Sequence, residues 1–112
     1  MALNKELLKG AIEAVVLQAL VDDGEAYGYE LIQRIAKQSN DVFTFQEGTL
    51  YPLLYRMEDR GYVTSTRKIA TSGKERRYYA ITPAGKTFLN SRRDEFNTLF
   101  HALKTSLHFA NV

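Results

Sequence analysis

The stretch Glu47-Gly48-Thr49-Leu50-Tyr51-Pro52-Leu53-Leu54-Tyr55-Arg56-Met57-Glu58 decides the reading of this chain. Gly61-Tyr62-Val63 follows at once, and Gly73-Lys74-Glu75-Arg76-Arg77-Tyr78-Tyr79-Ala80-Ile81-Thr82 comes next. Leu50, Leu53, Leu54 and Met57 fall at i, i+3, i+4 and i+7, the spacing of one buried helical face. Gly48, Pro52, Tyr55 and Asp59 point the other way, flanked by Thr49 and Arg56 on one side and Tyr51 on the other. Two starts fit this helix. Thr44 with Glu47 makes a capping box, whereas Pro52 sits best in a first turn that begins at Thr49. With the earlier start, the Pro52 ring presses on the carbonyl of residue 48, where glycine absorbs the adjustment. Gly61 closes the helix. Residues 62–69 and 76–81 are then β-prone runs joined by a polar loop containing Thr71-Ser72-Gly73. Tyr78 and Tyr79 alternate across their strand, and Tyr79 with Ile81 is expected to face the core.

Working outward, the apolar residues of 3–21 form two adjoining stripes, Leu3/Leu7/Ala11/Ala14 and Leu8/Ile12/Val15/Val16/Ala19, which predict a helix over 3–22 with two neighbours to cover. Asp22-Asp23-Gly24-Glu25 ends it. A second helix is predicted over 27–39 with Leu31, Ile32, Ile35 and Ala36 inward, and Asn40-Asp41 is a turn. On the other side, Thr82-Pro83 is an N-cap followed by proline at the first helical position, opening a last helix towards His108. In it Leu89, Phe96, Leu103 and Ala110 recur every seven residues, with Leu99, Phe100 and Leu107 beside them. Arg92 and Ser106 interrupt that seam, so a long regular coiled coil is not expected. The fold class is mainly α with a small β-hairpin: a winged helix-turn-helix with an added C-terminal dimerisation helix. Residues 1–112 read as a single domain, with 1–82 the winged helix-turn-helix and 83–112 the dimerisation helix packed with helix 3–22.

Composition bounds the function without choosing it. The chain has 112 residues, 45% hydrophobic and 25% charged, the balance of a soluble globular protein, and its net charge of +2 is too small to argue for nucleic acid. The distribution says more: Arg67, Lys68, Lys74, Arg76 and Arg77 stand against the single acid Glu75, while Asp22, Asp23 and Glu25 gather elsewhere. Cysteine is absent, which removes disulfides, thiolate metal sites and cysteine nucleophiles. With no signal-peptide pattern at the start and no apolar run of ~20 residues, a cytoplasmic location is expected. The histidines, His101 and His108, suit a surface rather than a catalytic pair. No phosphate-cradling glycine loop, nucleophile motif or metal-ligand cluster is present, so no catalytic site, metal or cofactor is expected.

Taken with Tyr27-Gly28-Tyr29-Glu30-Leu31, the helix and hairpin segments resemble, in order and spacing, the short form of the PadR family of bacterial transcriptional regulators. The resemblance spans nearly the whole chain. It implies a DNA-binding regulator, expected to be a repressor, with contacts from the segments matched here by 47–56 and 68–77. In the third helix Thr49 suits a base edge or phosphate, Pro52, Tyr51 and Tyr55 suit thymine methyls, and Arg56 suits guanine or phosphate. In the hairpin Lys68, Lys74, Arg76 and Arg77 suit phosphates, which position a protein without reading sequence. Tyr27 and Tyr29 either donate hydroxyls to phosphate or pack on the first helix, with Tyr29 the candidate for burial. The wing of many relatives carries a Gly-Arg-Pro-Arg-like run; here Gly73-Lys74-Glu75-Arg76-Arg77 places an acid within it.

A homodimer would present two reading helices to a pseudo-palindromic operator of double-stranded DNA. The resemblance also implies a cavity between protomers, where some members use a tryptophan to stack on flat aromatic compounds. This chain has no tryptophan. Phe96 takes the comparable place, with Leu7, Gly10 and Ala14 opposite and Leu89, Phe100 and Leu103 along the same surface. An apolar or aromatic effector between two Phe96 rings and a dry phenylalanine-rich dimer core are both compatible with these residues. Two rivals remain: a winged-helix protein interaction module with no specific operator, and a ligand-binding dimer whose DNA head is idle.

Overall fold

The structure, a computed structural model, describes residues 8–109. Leu3, Leu7 and Ala110 lie outside the described residues. Residues 9–11 form a turn, and helix α1 runs Ile12–Asp23. The expected single helix over 3–22 is therefore corrected: Gly10 pays the highest backbone entropy in a helix, and open space around it offers no packing to offset that cost. Ala14, Val16, Leu17, Ala19 and Leu20 are the buried face of α1, and Gly24, at φ 83°, ends it with its N–H on the Leu20 carbonyl at 2.9 Å.

A two-residue strand follows, β1 (Ala26–Tyr27), which sequence periodicity did not suggest. It adds to the hairpin of β2 (Val63–Ile69) and β3 (Glu75–Ile81) to make an antiparallel sheet ordered β1-β3-β2. The expected two-stranded hairpin is thus a three-stranded sheet. Ala26 stands opposite Tyr79 and Tyr27 opposite Tyr78. Because strand side chains alternate, Ala26, Val63 and Tyr79 face the core, while Tyr27, Tyr78, Arg76 and Lys68 share the outer face.

Helix α2 spans Gly28–Gln38, burying Leu31 and Ile35, and Asn40 and Asp41 turn the chain at φ 51° and 64°. Helix α3 spans Glu47–Asp59, so it starts between the two positions considered. Phe45 is buried and the backbone of Gln46 is extended, so Thr44 forms no capping box and Pro52 is accommodated inside the helix. Leu50, Leu53, Leu54 and Met57 are its buried residues, as their spacing requires. No helix among the described residues is long and apolar enough to cross a membrane.

Helix α4 spans Pro83–Ser106. Its start is clamped. The Thr82 hydroxyl accepts from the Gly85 N–H at 3.0 Å and donates to the Gly61 carbonyl at 2.6 Å, and Tyr62 stacks on Phe88 with centroids 4.4 Å apart. Gly85 sits so close to this junction that a Cβ there would meet the Tyr62 carbonyl at 2.1 Å and Ile81 Cγ1 at 2.7 Å. Only Gly85 and Leu89 of α4 are buried, although at 1.5 Å per residue the helix is about 36 Å long. Its far half leaves the body of the molecule.

Two outcomes follow for stability. Gly85→Ala should lower the unfolding free energy by about 1–3 kcal/mol, because the obstacle is backbone and cannot yield; a urea melt measures it. Tyr79 is wholly buried and its hydroxyl has no hydrogen-bond partner among the described residues. Burial raises its pKa above the ordinary tyrosine value, while the Arg77 charge opposes the rise. The folded state therefore holds this proton more tightly than the unfolded chain, so the contribution is complete below about pH 10 and is lost as pH climbs through the folded pKa. Tyr79→Phe should raise stability by about 1 kcal/mol at neutral pH and flatten the alkaline decline. Melting temperatures from pH 7 to 11 check both effects.

Candidate nucleic-acid interface

Helix α3, the start of α2 and the hairpin converge on one side of the molecule, and the residues expected to contact DNA divide there by what they touch. Thr49, Pro52, Tyr55 and Arg56 are exposed on the outer face of α3, with Gly48 beside them in open space. Arg56 makes no ion pair or side-chain hydrogen bond among the described residues. These side chains are available to a groove.

Tyr51 is placed differently. Its ring lies over Gly28, where a Cβ would meet the hydroxyl at 2.5 Å, and its centroid is 6.1 Å from that of Tyr55. Burial raises its pKa, with Glu47 and Tyr55 adding to the rise and Arg76 opposing it. Tyr51 therefore spaces α2 from α3 and presents only part of its ring outward. The expectation for the tyrosine pair is also reversed: Tyr29 is 46% exposed and takes a hydrogen bond from Gln33, whereas Tyr27 is half-buried in the sheet. The cause is β1, which turns Tyr27 onto Tyr78, with ring centroids 5.3 Å apart and nearly perpendicular.

The hairpin concentrates like charge at a cost. Arg67 stands directly opposite Arg77, and Lys68 directly opposite Arg76. Like charges facing each other across strands destabilise a hairpin, so the fold alone gives no reason for this arrangement. Partial compensation is visible. Glu75 pairs with Arg67 at 3.6 Å, Glu25 pairs with Lys68, and Lys68 also lies 5.0 Å from the Tyr78 centroid. The acid in the wing therefore acts on Arg67 in the opposite strand. Lys74 and Arg77 are exposed and have no carboxylate partner among the described residues. Arg76 is held by an aromatic ring, with its guanidinium carbon 5.4 Å from the Tyr27 centroid. Sequence reading missed the contributions of Glu25, Tyr78 and Gly28. Glu25 lies 43 positions from its partner, and no local pattern links the two.

The residues grouped as a ligand pocket or dimer interface also divide. Ala14 and Leu89 are corrected, since both belong to the chain's own core. Leu7 is outside the described residues. Gly10, Phe96 and Leu99 line a cavity of about 480 Å3 together with Lys9, Glu13, Arg92 and Glu95, so its wall is charged as well as apolar. Phe100 and Leu103 lie beyond it on α4. With Leu99 and Leu107 they form an apolar row, each residue between 42% and 55% exposed.

Residues 16–91 match the model of the transcriptional regulator PadR-like family, more than half of the chain. The chain belongs to the PadR-like family of transcriptional regulators. Among solved structures, a PadR-like transcriptional regulator from Bacillus cereus is 30% identical, with a TM-score of 0.79 over 91% of this chain and 96% of that one. A transcriptional regulator from Clostridium thermocellum is 27% identical, with a TM-score of 0.78 over 95% and 99% of the two chains. Among curated proteins, the transcriptional regulator Rv3488 of Mycobacterium tuberculosis is 33% identical over 89 residues, 80% of this chain and 78% of that protein. The PadR-like fold thus accounts for both the helix α3 pattern and the hairpin.

Proposed function

We propose that this PadR-like regulator binds operator DNA as a homodimer and represses transcription. The observation that carries the DNA reading is the paired like charge of the hairpin, Arg67 against Arg77 and Lys68 against Arg76, beside an outward α3 face whose Arg56 has no ion pair among the described residues. A surface that lowers hairpin stability to concentrate cations is matched to a polyanion, where each neutralised phosphate releases counterions. Helix α3 supplies readout through Thr49, Pro52, Tyr55 and Arg56, and the wing supplies position through Lys74 and Arg77.

The homodimer rests on the far half of α4. Its row of exposed leucines and phenylalanine is a contiguous apolar surface that one chain leaves uncovered, and a second copy offers the same row. Residues 83–112 are assigned to dimerisation on this basis. Two reading helices would then meet half-sites on the order of 34 Å apart.

The cavity beside Phe96 adjoins that row, which makes it the place for an effector to act. Its mixed wall suits an aromatic compound carrying a polar or charged group better than a purely apolar one. Such a ligand changes DNA affinity only through its different affinity for the DNA-competent and incompetent arrangements.

Arg77→Ala should weaken binding to all duplexes alike and reduce the slope of log affinity against log salt by about one, whereas Arg56→Ala should cost about 1–3 kcal/mol on the operator and less on a scrambled duplex. Anisotropy titrations at several salt concentrations separate these effects. Equal losses on both duplexes for Arg56→Ala would remove α3 as the reader. Phe96→Ala should abolish the response to an effector while leaving DNA affinity within about threefold, provided sedimentation still shows a dimer; loss of the dimer would make Phe96 part of a dry interface.

A further inference from the structure

We infer that Tyr27 is a positioning residue that holds Arg76 ready for a DNA phosphate through its ring face and not through its hydroxyl. The inference rests on the DNA-binding reading above and assigns Tyr27 a different role from direct phosphate contact. Four side chains on the outer sheet face form a row of two rings between two cations. Arg76 lies over Tyr27, Tyr27 meets Tyr78 edge-on, and Lys68 lies over Tyr78. Pairing of β1 with β3 sets the ladder, because it puts Tyr27 directly opposite Tyr78 and two residues along β3 from Arg76.

Arg76 lies over a ring and has no carboxylate partner among the described residues, whereas Arg92, whose guanidinium carbon lies 5.0 Å from the Phe88 centroid, also pairs with Glu95. Arg34, Arg60, Arg67 and Arg92 each pair with a carboxylate, from Asp23, Glu13, Glu75 and Glu95 respectively. A carboxylate orders an arginine but neutralises it and repels an approaching phosphate. A ring face orders the same guanidinium through its quadrupole and leaves the full charge and the outward N–H donors unspent. Arg76 Nε is buried and has no hydrogen-bond partner among the described residues, so the ring face is the contact that holds the group.

Tyr27 also directly precedes α2, and its backbone N–H donates to Glu30 Oε1 at 3.3 Å. Its backbone is therefore held on both sides, by the sheet and by the helix cap, and its ring packs edge-on against Tyr78. Arg76 sits where the wing, the start of α2 and Tyr51 of α3 come together, close enough for its charge to act on the Tyr51 hydroxyl. A phosphate bound there would be gripped at the junction of both DNA-contacting parts. Immobilising a long side chain in advance saves the ordering cost at binding.

The test compares wild type, Tyr27→Phe, Tyr27→Leu, Arg76→Ala and the Leu/Ala double variant on one fixed duplex across a salt series, with melting temperatures to confirm folding. Arg76 Nε–Hε and Hδ NMR shifts are recorded in the free proteins. Tyr27→Phe should bind as wild type and keep the upfield ring-current shift of Arg76. Tyr27→Leu should lose that shift and bind about two- to fivefold more weakly, the range for a cation–ring contact at an exposed site, with the salt slope unchanged. Arg76→Ala should lower the slope by about one, and adding Tyr27→Leu to it should cost nothing further. A loss in Tyr27→Phe equal to that in Tyr27→Leu, independent losses in the double variant, or an Arg76 shift already at its unstructured position in wild type would each overturn the platform. An intact shift with no wild-type binding to any duplex would instead remove the DNA reading, and with it the platform's purpose.

Discussion

The two-residue pairing of β1 with β3 is the constraint on which the rest of the interface depends. Residues 26 and 27 leave the end of α1, join the sheet beside the wing strand, and pass without a linker into α2. Ala26 is buried under the sheet and Tyr27 is turned to its outer side, so a single register decides how the helices and the wing sit relative to one another. Gly28 then lets Tyr51 of α3 approach the first turn of α2 more closely than any side chain would permit. Wing, α2 and α3 are tied within three consecutive residues. At the other end of the hairpin strands, Thr82 and Gly85 perform a similar task for α4, binding its first turn to the end of α3. The two junctions leave little freedom in the head and hold α4 out as a long arm.

Charge is distributed to match this geometry. Arg34, Arg67 and Lys68 each have an acid within reach, which moderates the positive surface of the head. Exposed ion pairs of this kind stabilise little, so Glu25 and Glu75 serve mainly to set how much positive potential the wing shows. Arg56, Lys74, Arg76 and Arg77 have no carboxylate partner among the described residues, and they lie on α3 and the wing. A PadR-like regulator needs enough free charge to hold DNA but not so much that it holds every sequence equally well.

Much of the head was legible in the sequence because its signals are local. Leu50, Leu53, Leu54 and Met57 carry the helical period, Tyr79 alternates with Tyr78 on a strand, and Thr82-Pro83 opens a helix with a cap that the structure forms. The errors lie where the deciding contact is distant or too short to have a period. Two residues cannot display alternation, so β1 has no periodic signature in the sequence, and Tyr29, the candidate for burial, is exposed. Thr44 had the chemistry of a cap, but burial of Phe45 overruled it. Leu89 fitted a seven-residue seam that cannot distinguish the chain's own core from a partner's, and Ala14 shared that ambiguity. At the candidate interface, residue types were readable while their division of labour was not. The pairing of Lys68 with Glu25 and the packing of Tyr51 on Gly28 arise only from tertiary structure.

The central claim is that the α3 face and the charged wing form one sequence-reading device. Fluorescence anisotropy of the purified protein against the DNA upstream of its own gene and against a scrambled duplex, across a salt series, tests it most directly. The account predicts tight binding to the upstream DNA, weakening linearly in log affinity against log salt, with clear preference over the scrambled duplex. Equal and weak binding to both duplexes, or affinity that does not respond to salt, would contradict it.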